Sequence, residues 1–375
     1  MNMESSSALG DFKINRKSAV PLYKQLAAQI ESAIVDGKLE NGTMLAAETT
    51  IAEQLSMSRP TVRKSIQSLV EKGLLERTRG VGTEIRFPAN NEYSNFVEEK
   101  LRTSSGCLGL IVPDGSNPFF SEIAQVVQNQ AWQRGWLTIW ADSGERLEME
   151  RTLIKAIAQK SAGLILASPR LDDDTLQTAV DDTKIVTINR TIRNDPHVLV
   201  DVTTGMHQAV SHLAALGHKK IGYLGGPPHS RSDQLIKETL TRTCKKLGID
   251  FQVIGQVSPN HRGGYSAGDL IRPSGVTAVI THNDLIAIGL MARLTERGVR
   301  VPKDISVIGT DDIPFSSILN PSLTTVSINR HTIAQSAIDL LLSTIDGIEP
   351  PSRSLHVATQ LVVRQSSGLV SFSKG

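Results

Sequence analysis

The sequence predicts an α/β chain in two parts: a small head of three helices closed by a β-hairpin, then a larger body of two doubly wound lobes. Three observations carry this. Apolar residues recur with helical spacing between residues 18 and 87. From Cys107 onward, short apolar strands alternate with amphipathic helices, the texture of parallel sheets covered on both faces. The charge is also uneven: residues 58–86 hold seven Lys/Arg against three Asp/Glu, whereas residues 91–375 balance at 28 of each. A short basic segment on a neutral bulk is expected of a nucleic-acid-binding head on a body with another task. At 375 residues the chain is long enough for two or three cores.

Residues 1–17 are polar and Ser-rich and are expected to be disordered. The first helix runs from Pro21, with Leu22, Leu26, Ile30 and Ile34 four apart; Asp36-Gly37 closes it, since Gly takes the left-handed C-cap. A second helix fits Thr49 to Leu55. A third fits Ser58 to Lys72, with Ser58 as N-cap, Pro60 in the first turn, Val62, Ile66, Leu69 and Val70 apolar, and Gly73 as stop. Leu74-Leu75-Glu76-Arg77, a turn at Gly80-Val81-Gly82, and Thr83 to Phe87 read as a hairpin with a basic tip. Helix, helix, helix, hairpin is the order of a winged helix-turn-helix domain, here residues 18–87. Residues 88–105 lack periodicity and read as a linker. The body spans 106–368, and 369–375 is a disordered tail. It holds more strands than one regular sheet takes, so two Rossmann-like lobes are expected, with a pocket between them beyond the carboxyl ends of the strands.

The third helix suits DNA. Arg59 and Arg63 are four apart, hence on one face, and each can grip a guanine edge bidentately. Ser58 and Thr61 suit phosphate oxygens at a helix N-terminus, and Lys64 follows them. The hairpin adds Arg77, Arg79, Gly80 and Thr83, combining cations with a backbone that can approach a groove. Pro21-Leu22-Tyr23-Lys24-Gln25, Ala33-Ile34-Val35-Asp36-Gly37-Lys38-Leu39, Ser58-Arg59-Pro60-Thr61-Val62-Arg63 and Gly73-Leu74-Leu75-Glu76-Arg77 with Gly80-Val81-Gly82-Thr83 closely resemble the GntR-family winged helix. The resemblance implies base and phosphate contacts at Arg59, Thr61, Arg63 and Gly80. One departure matters. Where that family has Leu-Pro-Ser-Glu-Arg before the second helix, this chain has Leu45-Ala46-Ala47-Glu48-Thr49, so the Arg expected on DNA is Thr49 and the operator or the affinity should differ.

In the body, four strings end predicted strands: Ser116-Asn117-Pro118-Phe119-Phe120, Ile188-Asn189-Arg190, His282-Asn283-Asp284 and Gly309-Thr310-Asp311-Asp312. Polyols are held by amides, carboxylates and guanidinium groups that bridge hydroxyls, and by an apolar face for ring C–H groups. Asn117, Asn189, Arg190, Asn283 and Asp311 offer the first; Phe119 and Phe120 offer the second. A plainer reading stays open for several: Asn117, Asn283 and Asp311 as caps, Arg190 as the partner of Asp201. With Gly217-His218-Lys219-Lys220-Ile221-Gly222 and Pro321-Ser322-Leu323-Thr324-Thr325-Val326, these strings resemble the LacI/GalR effector domain, of periplasmic-binding-protein-like fold, over nearly all of 107–364. A GntR-type head on such a body is similar to the arrangement of AraR-type arabinose repressors. Departures fall inside the implied pocket. The family's pocket Arg falls on Ile236, with Arg231 and Ser232, or Lys237, as candidate replacements; its stacking aromatic falls on Pro259 and a Gln on Ile328. A less polar or modified sugar, or a ligand reaching another part of the cleft, is therefore expected over a simple pentose or hexose.

Other chemistries find no support in the sequence. Gly264-Tyr265-Ser266-Ala267-Gly268 matches a nucleophile elbow, but the run before it is polar and turn-like, not an apolar strand. His207 and His212 are five apart and poorly aligned for one metal, and Asp172-Asp173-Asp174 reads as the acidic start of a helix. No phosphate-binding or dinucleotide-binding glycine motif is present. Two cysteines exclude a disulfide framework, and aromatics at 4% argue against a stacking surface for single strands. The expected protein is a cytoplasmic, cofactor-free, ligand-responsive transcriptional regulator. It would be a homodimer on a two-fold-related operator, repressing carbohydrate-use genes until a sugar or sugar-derived effector binds. The other readings are a regulator with a non-sugar effector and an exported solute-binding protein; an N-terminus without basic and apolar regions argues against export.

Overall fold

The structure, a computed structural model, describes residues 12, 14, 16, 21–35, 38–71, 73–78, 82–86, 104–180 and 183–370. The chain divides after Arg102 into two compact units. The head contains α1 (Leu22–Val35), β1 (Met44–Leu45), α2 (Glu48–Gln54), α3 (Arg59–Glu71), β2 (Leu75–Thr78) and β3 (Gly82–Ile85). The four-residue spacing in α1 buries Leu26, Ile30 and Ile34 in one core with Val62, Ile66 and Leu69 of α3. Ile51, Leu75 and Ile85 complete that core. At the start of α3, the Ser58 and Thr61 hydroxyls are 2.6 Å apart and Ser58 Oγ accepts from the Thr61 N–H at 3.4 Å. Gly73, at φ +72°, ends the helix.

Three details differ from the sequence reading. The wing is a three-stranded antiparallel sheet in the order β1-β3-β2, because Met44 and Leu45 pair with Glu84 and Thr83. The second helix starts one residue earlier, at Glu48. Phe12 and Ile14 pack against the head core, and the Arg16 guanidinium donates to the carbonyls of Leu55 and Ser56, so these three residues belong to the head and not to a free tail. The cap at Asp36-Gly37, the hairpin tip at 79–81, most of the linker (88–103) and residues 371–375 lie outside the described residues.

The body opens with β4 (Gly106–Val112), α4 (Pro118–Gln133), β5 (Trp136–Asp142), α5 (Leu147–Ala158), β6 (Gly163–Ala167), α6 (Asp173–Val180), β7 (Ile185–Ile188) and β8 (His197–Asp201). It continues with α7 (Val202–Ala215), β9 (Lys220–Gly225), α8 (Arg231–Leu247), β10 (Asp250–Gln256), α9 (His261–Ala267), α10 (Ile271–Ser274), β11 (Ala278–Thr281), α11 (Asp284–Glu296), β12 (Ser306–Asp311) and β13 (Thr324–Ile328). It closes with α12 (Arg330–Ile345) and β14 (Ser354–Val362). The first lobe orders its strands β5-β4-β6-β7-β8 and the second β10-β9-β11-β12-β13, the same parallel winding twice. Central strands such as β6, β7 and β11 are buried along their whole length because helices cover both faces.

Two strands escaped the sequence reading. β10 is the edge of the second lobe. β14 joins the lobes: Ser354–Ala358 run parallel to β8, and Thr359–Val362 run antiparallel to β13. The sheet is thus continuous over eleven strands.

Candidate functional site

On the head, the residues expected on DNA gather around Glu48, the first residue of α2. Arg63 Nε donates to Glu48 Oε2 at 3.1 Å, and Arg77 of the wing donates to Oε1 of the same carboxylate. One acid therefore ties the recognition helix to the hairpin. Arg59 is exposed and has no ion pair among the described residues. The Lys64 ammonium lies 4.2 Å from the centre of the Tyr23 ring. Thr83 is buried in β3, and Arg79 and Gly80 lie outside the described residues.

In the body, a cleft of about 570 Å³ of atom-free space collects residues that follow the carboxyl ends of the strands. The first lobe contributes Asp114, Asn117, Glu145, Ser168, Arg170, Asn189, Val200 and Val202, with Phe119 and Phe120 from α4. The second contributes Ser230, Ser232, Ile236, Pro259, His282, Asn283, Thr310, Asp311 and Ile328. Phe119 and Phe120 meet edge to face with centroids 5.1 Å apart.

The three asparagines in the cleft are all engaged by the scaffold. Asn117 Oδ1 caps α4 by accepting from the Phe119 N–H at 3.0 Å. Asn283 Oδ1 caps α11 at the Ile286 N–H (2.9 Å) while its amide donates to Pro259 O (2.8 Å). Asn189, at φ +60°, donates to Ser168 Oγ at 3.2 Å and accepts from the Val200 N–H at 3.1 Å. Each can still offer its remaining lone pair or N–H to a ligand.

Asp311 is different. It sits at φ +112°, a backbone position rarely taken by a residue with a side chain, and is only 9% exposed. Its backbone carbonyl accepts from Arg330 at 2.5 Å, but its carboxylate has no hydrogen-bond partner among the described residues. Burial, reinforced by the nearby Asp284 and opposed by Arg330, pushes its carboxyl well above the usual range. Asp284 itself is a structural acid. It accepts from the Ile313 N–H (2.9 Å), Ser316 Oγ (2.6 Å) and Thr325 Oγ1 (2.5 Å), and burial still raises it to about 6.

His282 lines the cleft with Nδ1 buried, unpartnered and 3.4 Å from Asp233 Oδ1. That oxygen already accepts from Tyr223 Oη (2.7 Å) and the Gly226 N–H (2.6 Å). Burial lowers the imidazole pKa, with Asp233 opposing, so the ring is neutral near pH 7. Gly226 is needed here, since a Cβ would stand 2.3 Å from the ring.

Arg170 forks onto Glu145 through Nε (2.7 Å) and Nη2 (2.8 Å) and donates from Nη1 to Ser168 O (2.7 Å). The buried Glu150 takes the backbone N–H groups of Arg170 and Leu171 at 3.0 Å each, fixing the turn that carries the guanidinium. Arg190 and Arg231, both expected on ligand, do not line this cleft: they share Asp173. Arg190 Nε donates at 2.9 Å to Oδ1, and Arg231 Nη2 donates at 3.2 Å to Oδ2 from the second lobe. The expected alternative partner of Arg190, Asp201, instead caps α7 through the Thr203 N–H. Lys237 is also absent from the lining, whereas Ile236, Pro259 and Ile328 are all in it. Sequence reasoning overlooked Arg170, Glu145 and the burial of the His282 imidazole; a charged residue two positions past Ser168, just beyond a strand end, was the available signal.

The nucleophile-elbow lookalike lies in α9, where Ser266 Oγ donates to the Arg262 carbonyl at 2.9 Å, one turn back in the same helix. Among the described residues, no group of three or more His, Cys, Asp or Glu could hold a metal ion, and no helix is long and apolar enough to cross a membrane.

Residues 22–85 match the family described as bacterial regulatory proteins of the gntR family, and residues 210–367 match the periplasmic binding protein-like domain. The HTH-type transcriptional repressor CytR of Escherichia coli (strain K12) is 30% identical over 327 residues, covering 84% of this chain and 95% of that protein. The ribose operon repressor of Bacillus subtilis (strain 168) is 30% identical over 258 residues, 68% of this chain and 79% of that one. Among solved structures, the lac repressor dimer bound to operator and the anti-inducer ONPF superposes with a TM-score of 0.63 at 25% identity, covering 76% of this chain and all of that chain.

Proposed function

The chain belongs to the LacI/GalR superfamily of ligand-responsive transcriptional regulators, and from that premise we propose that it is a homodimeric repressor of carbohydrate-use genes, released from its operator by a sugar-derived effector. It is a regulator and not an enzyme. In the dimer each head lays α3 in a major groove. Arg59 and Arg63 read bases, Ser58, Thr61 and Lys64 meet phosphates, and the wing of Arg77, Arg79 and Gly80 follows the backbone. Half-sites related by a two-fold axis follow from the symmetry of the protein. In its combination of parts the chain is built like the AraR-type arabinose repressors, without the effector thereby being arabinose.

The observation that carries the effector half is Asp311: a buried carboxylate on strained backbone, facing a cleft between two lobes, with no hydrogen-bond partner among the described residues. Hydroxyl groups of a polyol would satisfy it, with Phe119 and Phe120 available to ring C–H groups. Asn117, Asn189, Asn283 and Ser232 border the same ligand. A ligand that fits only the closed arrangement of the lobes shifts the dimer between its DNA-binding and released states by its differential affinity. The test is to select genomic fragments with the purified protein and titrate them, by fluorescence anisotropy, with and without sugars and sugar derivatives. The expected result is a pseudo-palindromic fragment whose binding falls about tenfold or more with at least one such compound. DNA binding that no compound affects, even those that raise the melting temperature of the protein, overturns the allosteric reading.

A further inference from the structure

We propose that the effector of this cleft carries no anionic group: the site admits neutral or aminated polyols and rejects phosphorylated and carboxylated sugars. This rests on reading the cleft as the effector site, and adds a chemical class to it. Arg170 is the single cation among the described lining residues. It is not available to an incoming anion, because its side chain is 5% exposed and bidentate to Glu145, with its third nitrogen held by Ser168 O. Asp114 and Glu145 border the same space, so carboxylates outnumber the guanidinium even with Asp311 protonated. Arg190 and Arg231 are both held by Asp173.

Helix N-termini could still attract an anion, since α4, α7, α8 and α11 begin at the cleft. A capping side chain already takes one N–H of each first turn. The N–H groups of Phe119, Thr203, Asp233 and Ile286 go to the side chains of Asn117, Asp201, Ser230 and Asn283. What the cleft leaves unmet is acceptor capacity. The Asp311 carboxylate lacks donors among the described residues. A ligand rich in O–H or N–H donors fits this balance. A phosphate group, which brings mainly acceptors and negative charge, meets like charge where water is scarce.

The full-length protein is heated with and without inorganic phosphate at constant ionic strength, alongside Arg170→Met and Glu145→Gln. We expect any phosphate-dependent rise in melting temperature of the wild type to persist in Arg170→Met, which locates that anion outside the cleft. We expect Glu145→Gln to gain a saturable rise of a few degrees that the wild type lacks, because it frees the guanidinium. A wild-type rise abolished by Arg170→Met overturns the proposal, and so does the absence of any gain in Glu145→Gln. Should Arg170→Met not fold, the Glu145→Gln arm decides alone. Neither arm involves DNA or a sugar, so this result stands apart from the operator titration. A second panel compares galactose, galactosamine and galactose 6-phosphate as ligands: tighter binding of the phosphate ester than of both others contradicts the proposal.

Discussion

Glu48 and Glu145 each hold arginine, and they do it in opposite surroundings. In the head, Glu48 grips Arg63 and Arg77, whose side chains stay 61% and 44% exposed. In the body, Glu145 grips Arg170, which is 5% exposed. Water and salt screen the first pair, and a DNA phosphate can displace the carboxylate at little cost. The second pair is sheltered and bidentate, and breaking it would strand a charge. The same chemical couple therefore serves as a releasable rest position for a DNA-reading cation in one place and as a fixed neutral wall of a ligand cleft in the other.

The comparison breaks most easily at the head. If Arg59 and Arg63 read bases, the double change Arg59→Ala/Arg63→Ala lowers operator affinity by about 100-fold or more, since each bidentate base contact discriminates by roughly 1–3 kcal/mol. An anisotropy titration at fixed salt measures this, and unchanged operator affinity removes α3 as the reading element. The unfolding transition should stay within a degree or two, because both side chains are outside the core.

A smaller effect is expected at the cleft. Asp311→Asn keeps the shape but replaces a charged acceptor with a neutral one, and should weaken effector-driven release by about 10- to 100-fold, the range of a charge-assisted hydrogen bond. The same variant carries a pH signature. Folding raises this carboxyl pKa, so the folded protein holds the proton to higher pH than the unfolded chain does, and the wild type loses stability as pH rises through that window. Asp311→Asn should melt above the wild type at pH 8, with the advantage fading to nothing as pH falls below the ordinary carboxylate range. A constant difference across pH would mean that Asp311 does not titrate as its surroundings require.

The smallest effect sharpens the contrast between the two glutamates. Glu48→Gln releases Arg63 and Arg77 and should tighten binding to non-specific DNA by about two- to fivefold, as expected for loss of an exposed pair. Operator preference should narrow, because the helix and wing lose their common anchor. Equal tightening on operator and random DNA would show that Glu48 only screens charge and does not position.

The head was legible because its chemistry is local. Ser58, Arg59, Thr61, Arg63 and Lys64 sit on two turns of one helix, so spacing alone puts them together. The cleft was legible in outline because parallel strands deliver residues at their carboxyl ends, which is where Asn117, Asn189, Asn283 and Asp311 all appear. Which of them stay free for a ligand was not legible: the amide that caps α4 or α11 is the same amide that would bind a hydroxyl. Arg170 and Glu145 lie in the loops after β6 and β5, 25 positions apart, and no local spacing links them. Arg190 shows the same limit, since its acid partner came from α6 and not from the nearby Asp201. β14 escaped for a related reason, its role being set by two strands far away in the chain.

That last strand has a consequence for synthesis. Residues 354–362 supply hydrogen bonds to both β8 and β13, so a nascent chain that stops short of them presents two bare strand edges at once. Neither half of the body can be sealed until residues 354–362 have emerged, whereas the head can complete its own sheet early. Chains interrupted before Ser354 should therefore carry a folded head on a body prone to edge-to-edge association.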